Sequence, residues 1–277
     1  TLSMLRLTVA ATLALILAMG KVGAHEFWIS PEVYQVETGD QIEAALRVGE
    51  EFRGATQAYI PRNFTRFEVV TPDATRPVEG RIGDMPALSM EDMPEGLAIV
   101  VHETTARNLT WDEWERFVRF VEHKDLGDIA AMQAERGLDQ IDSTEDYIRY
   151  AKSLIAVGQG AGEDRVVGLR TELVALANPY TDDLAGVLPV QLWLDDAPRP
   201  NSQVELFARN IETDEVEITL HRTDSNGIVL LPVTRGHEYL VDAVTLEPLD
   251  PEAGAEWRTL WASLTFAVPA LEGAPAP

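Results

Sequence analysis

Apolar residues occupy every second position in Leu188-Pro189-Val190-Gln191-Leu192-Trp193-Leu194, so that Leu188, Val190, Leu192 and Leu194 share one side of an extended chain. The same alternation runs through Val204, Leu206 and Ala208, through Val216, Ile218 and Leu220, and along Leu260 to Val268. Thr223-Asp224-Ser225-Asn226-Gly227 reads as a turn leading into Ile228 to Val233, and Gly236 precedes a further run from Tyr239 to Val244. Nearer the start, Val33 to Val36, Gln41 to Val48, Phe67 to Val70 and Leu97 to Val101 are short runs separated by proline and glycine, the punctuation of antiparallel sandwiches. The middle of the chain changes period. Thr110-Trp111-Asp112-Glu113 has the form of a capping box, and Trp111, Trp114, Phe117, Val118 and Val121 recur at helical spacing. Gly127 and Gly137 bracket a second short helix, and Ser143 opens a predicted third on which Tyr147, Tyr150, Ala151, Leu154 and Ile155 share a face. Gln159-Gly160-Ala161-Gly162 reads as a flexible linker. The predicted fold is mainly β. Two antiparallel β-sandwich units of immunoglobulin-like or transthyretin-like type, 25–109 and 163–269, flank a helical insert and linker at 110–162, and an Ala/Pro tail covers 270–277.

The first 24 residues read as a secretory signal, with Arg6 in a short start, an apolar run from Leu7 to Met19 broken by Thr8 and Thr12, and a small-residue exit at Val22-Gly23-Ala24. That run falls short of the roughly 20 residues a membrane span needs, and no later stretch is apolar enough to cross a bilayer. Cleavage between Ala24 and His25 would deliver the chain to the periplasm or the medium. The sequence contains no cysteine, which removes lipid anchoring on cysteine, disulfides and thiolate metal ligands from consideration. Acidic residues number 46 against 22 basic ones, for a formal charge of −24. Such an excess repels nucleic acid and anionic lipid and concentrates cations.

With thiolate excluded, imidazole is the transition-metal ligand to weigh, and there are five histidines. As residue one of a cleaved chain, His25 would offer its α-amine and its ring to a single ion, an arrangement that copper(II) and nickel(II) accept readily. His237, just after Gly236 at the entry to a predicted strand, is the first choice for a second imidazole, because loop ends of sandwiches gather sites. His102, at the end of a predicted strand, is the next choice. Glu26, Glu238 or Asp242 could supply an oxygen ligand or orient a ring. His123 suits the end of a helix, where its charge complements the dipole, and His221 shares a polar strand face with Glu217 and Thr219. Enzyme motifs are missing: His25-Glu26, His102-Glu103 and His237-Glu238 all lack the second histidine of HExxH, and there is no GxSxG elbow or Walker loop. The glycines at 158–162 follow a helix pattern and lead into a strand, the wrong order for a dinucleotide site. Asp224 to Gly227 opens like a calcium loop, yet its twelfth position is Arg235. Trp28, Trp257 and Trp261 would either line a groove or fill a sandwich core.

Several segments together resemble one family: His25-Glu26-Phe27-Trp28-Ile29-Ser30-Pro31, Tyr150-Ala151-Lys152-Ser153-Leu154, Asn178-Pro179-Tyr180, Thr223 to Gly227, Gly236 to Ala243 and Trp257 to Phe266. The chain is similar to members of the domain of unknown function 4198 family. That resemblance implies an exported bacterial β-sandwich protein, and some relatives are described as periplasmic components of cobalt or nickel uptake systems. Of the histidines, only His25 and His237 lie inside the family-like segments. The expected function is therefore non-catalytic binding of one divalent transition metal, nickel, cobalt or copper, for uptake or homeostasis, with transfer to a membrane metal transporter. Two alternatives belong to other classes: a sandwich module that binds protein or glycan, and a copper-dependent oxidase built on the same terminal histidine.

Overall fold

A computed structural model describes residues 25–270. The predicted signal segment at 1–24 and the tail beyond residue 270 lie outside the described residues. In chain order the first half forms β1 (Glu26–Pro31), β2 (Gln35–Val36), β3 (Ile42–Glu50), β4 (Arg53–Gln57), β5 (Phe64–Val70), β6 (Thr75–Pro77), β7 (Leu88–Met90), β8 (Gly96–Thr104) and β9 (Arg107–Trp111). Two helices follow, α1 (Trp114–His123) and α2 (Ile129–Glu135), and then β10 (Ser143–Val157). The second half contributes β11 (Thr171–Ala175), β12 (Val187–Leu194), β13 (Ala197–Pro198), β14 (Gln203–Asn210), β15 (Val216–Arg222), β16 (Ile228–Pro232), β17 (His237–Pro248) and β18 (Trp257–Val268).

The mainly β, sandwich-type architecture is as expected, and its two halves share a sheet. A central ten-stranded sheet runs β15-β14-β17-β18-β10-β8-β5-β6, with β2 and β9 also paired to β10. Period-two alternation sends neighbouring residues of its strands into different cores. Leu97, Ile99, Val101, Tyr150 and Leu154 pack with Leu173, Leu188 and Leu192 beneath the sheet of β11, β12, β13 and β16. Ala98, Val100, Ala151, Ile155 and Val157 point the other way, against Ile29, Ile42 and Leu46 of the sheet formed by β1, β3, β4 and β7. Most pairings are antiparallel, and β10 lies parallel to β18.

The stretch expected to form the third helix is this central strand. Its second half, Tyr150 to Val157, places apolar residues on both faces because both are covered, and without a period-two alternation such a run cannot be told from a buried helix. The expected capping box also gives way: Thr110 and Trp111 remain in β9, paired with Thr144 and Ser143, and α1 starts beyond Glu113 with no side-chain cap. The helical part of the insert is thus α1 and α2 alone, the second capped by Asp128, whose carboxylate accepts from the Ala131 amide at 3.0 Å. Their apolar faces meet the sheet through Phe117, Val121, Ile129, Trp111 and Trp257. No helix among the described residues is long and apolar enough to cross a membrane. The predicted linker is clamped: Gly160 and Gly162 have φ of 66° and 137°, and the Asn178 side-chain amide donates to both their carbonyls, at 2.8 and 2.9 Å.

A cation, Lys152, lies inside the core beneath the sheet of β11, β12, β13 and β16. Lys152 and its partners Asp164 and Glu172 have fully buried side chains, with Nζ 2.8 Å from Asp164 Oδ1 and 3.3 Å from Glu172 Oε2. Glu172 also accepts from the amides of Val167, Gly168 and Leu169, and Asp164 from those of Arg165 and Ala175. The chain from 163 to 175 is therefore folded around a charge projecting from β10.

Candidate functional site

Where the face of β8, β9, β10 and β18 that bears Ala98 and Ile155 runs out beyond β1, β3 and β4, it leaves a cavity of about 300 Å³. Alternation decides what enters it. In β10 the residues in register with Ala151 and Ile155 are Arg149, Tyr147 and Glu145; in β8 the residue in register with Val100 is His102; in front of β1, His25 is in register with Phe27. All six, Phe27 included, line the cavity, together with Arg107, Phe64 and Trp261.

His102 is buried among three phenylalanines, its ring centroid 5.1 Å from Phe27, 5.4 Å from Phe64 and 4.8 Å from Phe67. Burial pulls its pKa down to about 3, and Nδ1 has no hydrogen-bond partner. The ring is thus a neutral imidazole throughout the physiological range. His25 sits half-buried at the mouth, with Nδ1 3.2 Å from Glu50 Oε1 in an ion-pair approach that is not an aligned hydrogen bond. Its carbonyl accepts from Arg149 Nη2 at 2.8 Å, and the Arg149 guanidinium lies 4.6 Å from the Tyr147 ring centroid. Burial pushes Glu145 up to about 7, against hydrogen bonds from Thr259 Oγ1 and from Trp111 Nε1, the latter at 2.7 Å.

A second polar cluster lies behind Trp261. Lys124, next after α1, places Nζ 2.8 Å from Glu26 Oε1, 2.7 Å from Glu205 Oε2 and 2.9 Å from Asp242 Oδ2, with Trp261 5.1 Å from the ammonium. The four side chains are between 1% and 9% exposed. Burial and the neighbouring Glu26 and Glu205 charges raise Asp242 to about 7 in spite of Lys124. Burial also pushes Glu205 upward, but the hydrogen bond from His123 and the Lys124 charge bring it down to about 2. The three carboxylates have oxygens within 4.8 Å of one another, close enough to hold an ion. The cation they surround is Lys124.

His25 and His102 thus line the same cavity, and His237 lies elsewhere. His237 stands at the start of β17 opposite Asn210 and Val268, and its Nδ1 donates to the Arg235 carbonyl at 3.2 Å; it does not line the cavity. Of the expected carboxylates, Glu238 pairs with Arg209 at 2.7 Å, and Glu26 and Asp242 face Lys124. His123 ends α1 beside Glu205, and His221 lies 2.8 Å from Thr219 Oγ1 on the edge strand β15. Trp28 and Trp257 fill cores, and Trp261 alone of the three lines the cavity. Lys124, Glu145, Arg149 and Glu205 escaped the sequence reading. Nothing within a few residues of Lys124 announces partners 81 to 118 positions away, and Glu145 and Arg149 lay in the stretch assigned to a helix.

The buried state of His102 has a consequence for stability. Its folded pKa lies below the ordinary 6.5, so between about pH 6.5 and about pH 3 the unfolded chain binds a proton that the folded chain refuses. Stability from this group is complete above 6.5 and falls with acidification, with a slope of up to about 1.4 kcal/mol per pH unit. Urea unfolding of a His102→Phe variant across that window should show a flatter acid dependence than the natural protein; parallel curves would contradict a depressed His102.

Fold and site together define a mainly β, sandwich-type protein with a cavity lined by histidine and arginine. The sequence matches the family described as Domain of unknown function (DUF4198) over residues 22–247, and the chain belongs to that family. The matched region includes His25, His102, Lys124, Arg149 and His237 and ends before β18. No curated protein matches the sequence. Among solved structures, one titled "Biofilm associated protein - BSP domain" is similar at 10% identity and a TM-score of 0.20, over 90% of this chain and 30% of that one. The chain thus spans 30% of the length of that structure's chain, and a likeness at this level says nothing about function.

Proposed function

We propose that the chain is an exported, non-catalytic protein that holds one divalent transition metal through His25 and His102 in this cavity and passes it to a membrane metal transporter. The observation that carries the reading is that these two imidazoles, 77 positions apart in the sequence, face one cavity of about 300 Å³. The chemistry of the donors supports this reading. His102 is neutral with a free Nδ1, His25 Nδ1 has no aligned hydrogen bond, and without cysteine the ligand set is imidazole with amine or oxygen, which suits copper, nickel or cobalt. A cut between Ala24 and His25 would add an α-amine at the cavity mouth, and the signal-like segment before it supports export to the periplasm or medium. In this reading Lys124 neutralises the carboxylates beside Glu26, so that they compete less for the ion.

The chain beginning at His25 should take up about one equivalent of copper(II) or nickel(II). Adding one residue before His25 should weaken that uptake by about tenfold or more, since it removes the chelating amine while leaving the fold intact. Titration by calorimetry after chelator treatment reads both. Uptake unaffected by the added residue would rule out a terminal site.

A further inference from the structure

The cavity carries a charge pattern that a metal ion does not account for. In a chain with 46 acidic residues and 22 basic ones, Arg107 and Arg149 both line it, and neither forms an ion pair among the described residues. Their placement follows from register: Arg107 pairs with Tyr147 across β9 and β10, and Arg149 lies two positions further along the same face. Arg149 is held from behind by the His25 carbonyl and flanked by the Tyr147 and Phe27 rings, at 4.6 and 5.9 Å from their centroids, while its Nε has no partner. Arg107 is exposed at the rim, whereas Arg149 is sheltered and feels the Glu145, Asp242 and Glu26 charges without an ion pair to any of them; a guanidinium stays charged, and in a sheltered place it is seldom left without an anion at contact distance. The carboxylate on the same wall, Glu145, is already bonded to Trp111 and Thr259, and its burial favours the neutral acid. Apolar side chains, among them Leu46, Val48, Ile60, Phe64, Leu109 and Trp261, make up much of the remaining wall, with Gln57, Asn63 and Thr104 as uncharged polar groups between them.

We propose that this cavity binds a small organic carboxylate, with Arg149 and Arg107 taking the carboxylate and the aliphatic and aromatic walls taking an apolar body. A planar carboxylate matches the fork of a guanidinium. Apolar lining with a few convergent polar groups is the usual make-up of a small-molecule site, and about 300 Å³ admits a body the size of one aromatic ring. The inference does not require a metal on His25 and His102; with one bound, the carboxylate would offset the charge of the ion and the two arginines.

Calorimetry on the chelator-treated protein tests this apart from any metal. Benzoate, phenylacetate and hexanoate are the probes, with benzamide as the neutral counterpart of benzoate and inorganic phosphate as an anion without an apolar body. At least one carboxylate should bind, with benzamide and phosphate about tenfold or more weaker. Arg149→Met and Arg107→Met should each lower carboxylate affinity by a similar factor, and Arg149→Lys should recover part of the loss. Should Arg149→Met not fold, Arg107→Met gives the same reading from an exposed side chain. No binding by any carboxylate, equal binding of benzoate and benzamide, phosphate matching the carboxylates, or indifference to both arginines would each overturn the proposal. Carboxylate binding alongside absent metal uptake would sink the metal reading alone.

Discussion

Lys124→Met is expected to lower the stability of the folded protein by about 3–5 kcal/mol, the cost of leaving buried charge unpaired. Nζ is within 2.9 Å of three carboxylates that are themselves no more than 9% exposed, so methionine fills the volume and removes the charge that lets Glu26, Glu205 and Asp242 lie together. Without the ammonium those carboxylates must take up protons or draw in water. The deficit should therefore shrink when urea unfolding is repeated at about pH 5 instead of about pH 8, because protonation then does part of what Lys124 does. Glu205 shows the leverage best: Lys124 and His123 hold it down at about 2 although burial pushes the other way. A variant within about 1 kcal/mol of the natural protein at pH 8 would mean that the cluster is wetter than its burial indicates.

Lys152→Met should have an effect of the same order, about 3–5 kcal/mol, for a related reason. Lys152 stands in the middle of β10, the strand against which both cores pack, and its side chain and both carboxylate partners have no exposure. Those partners also accept backbone amides from 165 to 175, so the loss should loosen that segment, which hydrogen exchange of the Val167, Gly168, Leu169 and Ala175 amides would detect. If the single variant fails to accumulate, Lys152→Met with Asp164→Asn should recover part of the stability, since it removes one of the two stranded charges. Equal stability of the single variant and the natural protein would contradict the role given to Lys152.

Much of this fold is legible in the alternation of apolar residues, because a strand with one face on a core has a period of two that survives without any partner in view. Leu188, Val190 and Leu192 announce β12 in this way, and Leu260 to Phe266 announce β18. Residues 143–157 did not, since β10 is covered on both sides, and Tyr150 and Leu154 on one face next to Ala151 and Ile155 on the other look like a helical stripe. The misreading had a price for the site. Taken as a helix, the segment scatters Glu145, Tyr147 and Arg149 around an axis; as a strand it lines them up on the cavity face. His102 could be named from its residue type and strand-end position, yet only the packing of Phe27, Phe64 and Phe67 around it shows that it points inward. His237 had the better sequence argument, a glycine turn before a strand, and its ring is satisfied by the Arg235 carbonyl instead. Lys124 and Lys152 were illegible for a simpler reason, because a lone lysine carries no mark of the distant carboxylates that bury it.

The reading of this protein as a metal carrier rests on the pairing of His25 with His102. Copper(II) titration of the chain beginning at His25, compared with its His102→Phe and His237→Ala variants, tests that pairing directly. His237→Ala should bind like the natural protein, whereas His102→Phe, still folded among its phenylalanines, should lose affinity by about tenfold or more. Full copper affinity in His102→Phe, or its loss in His237→Ala, would contradict the pairing.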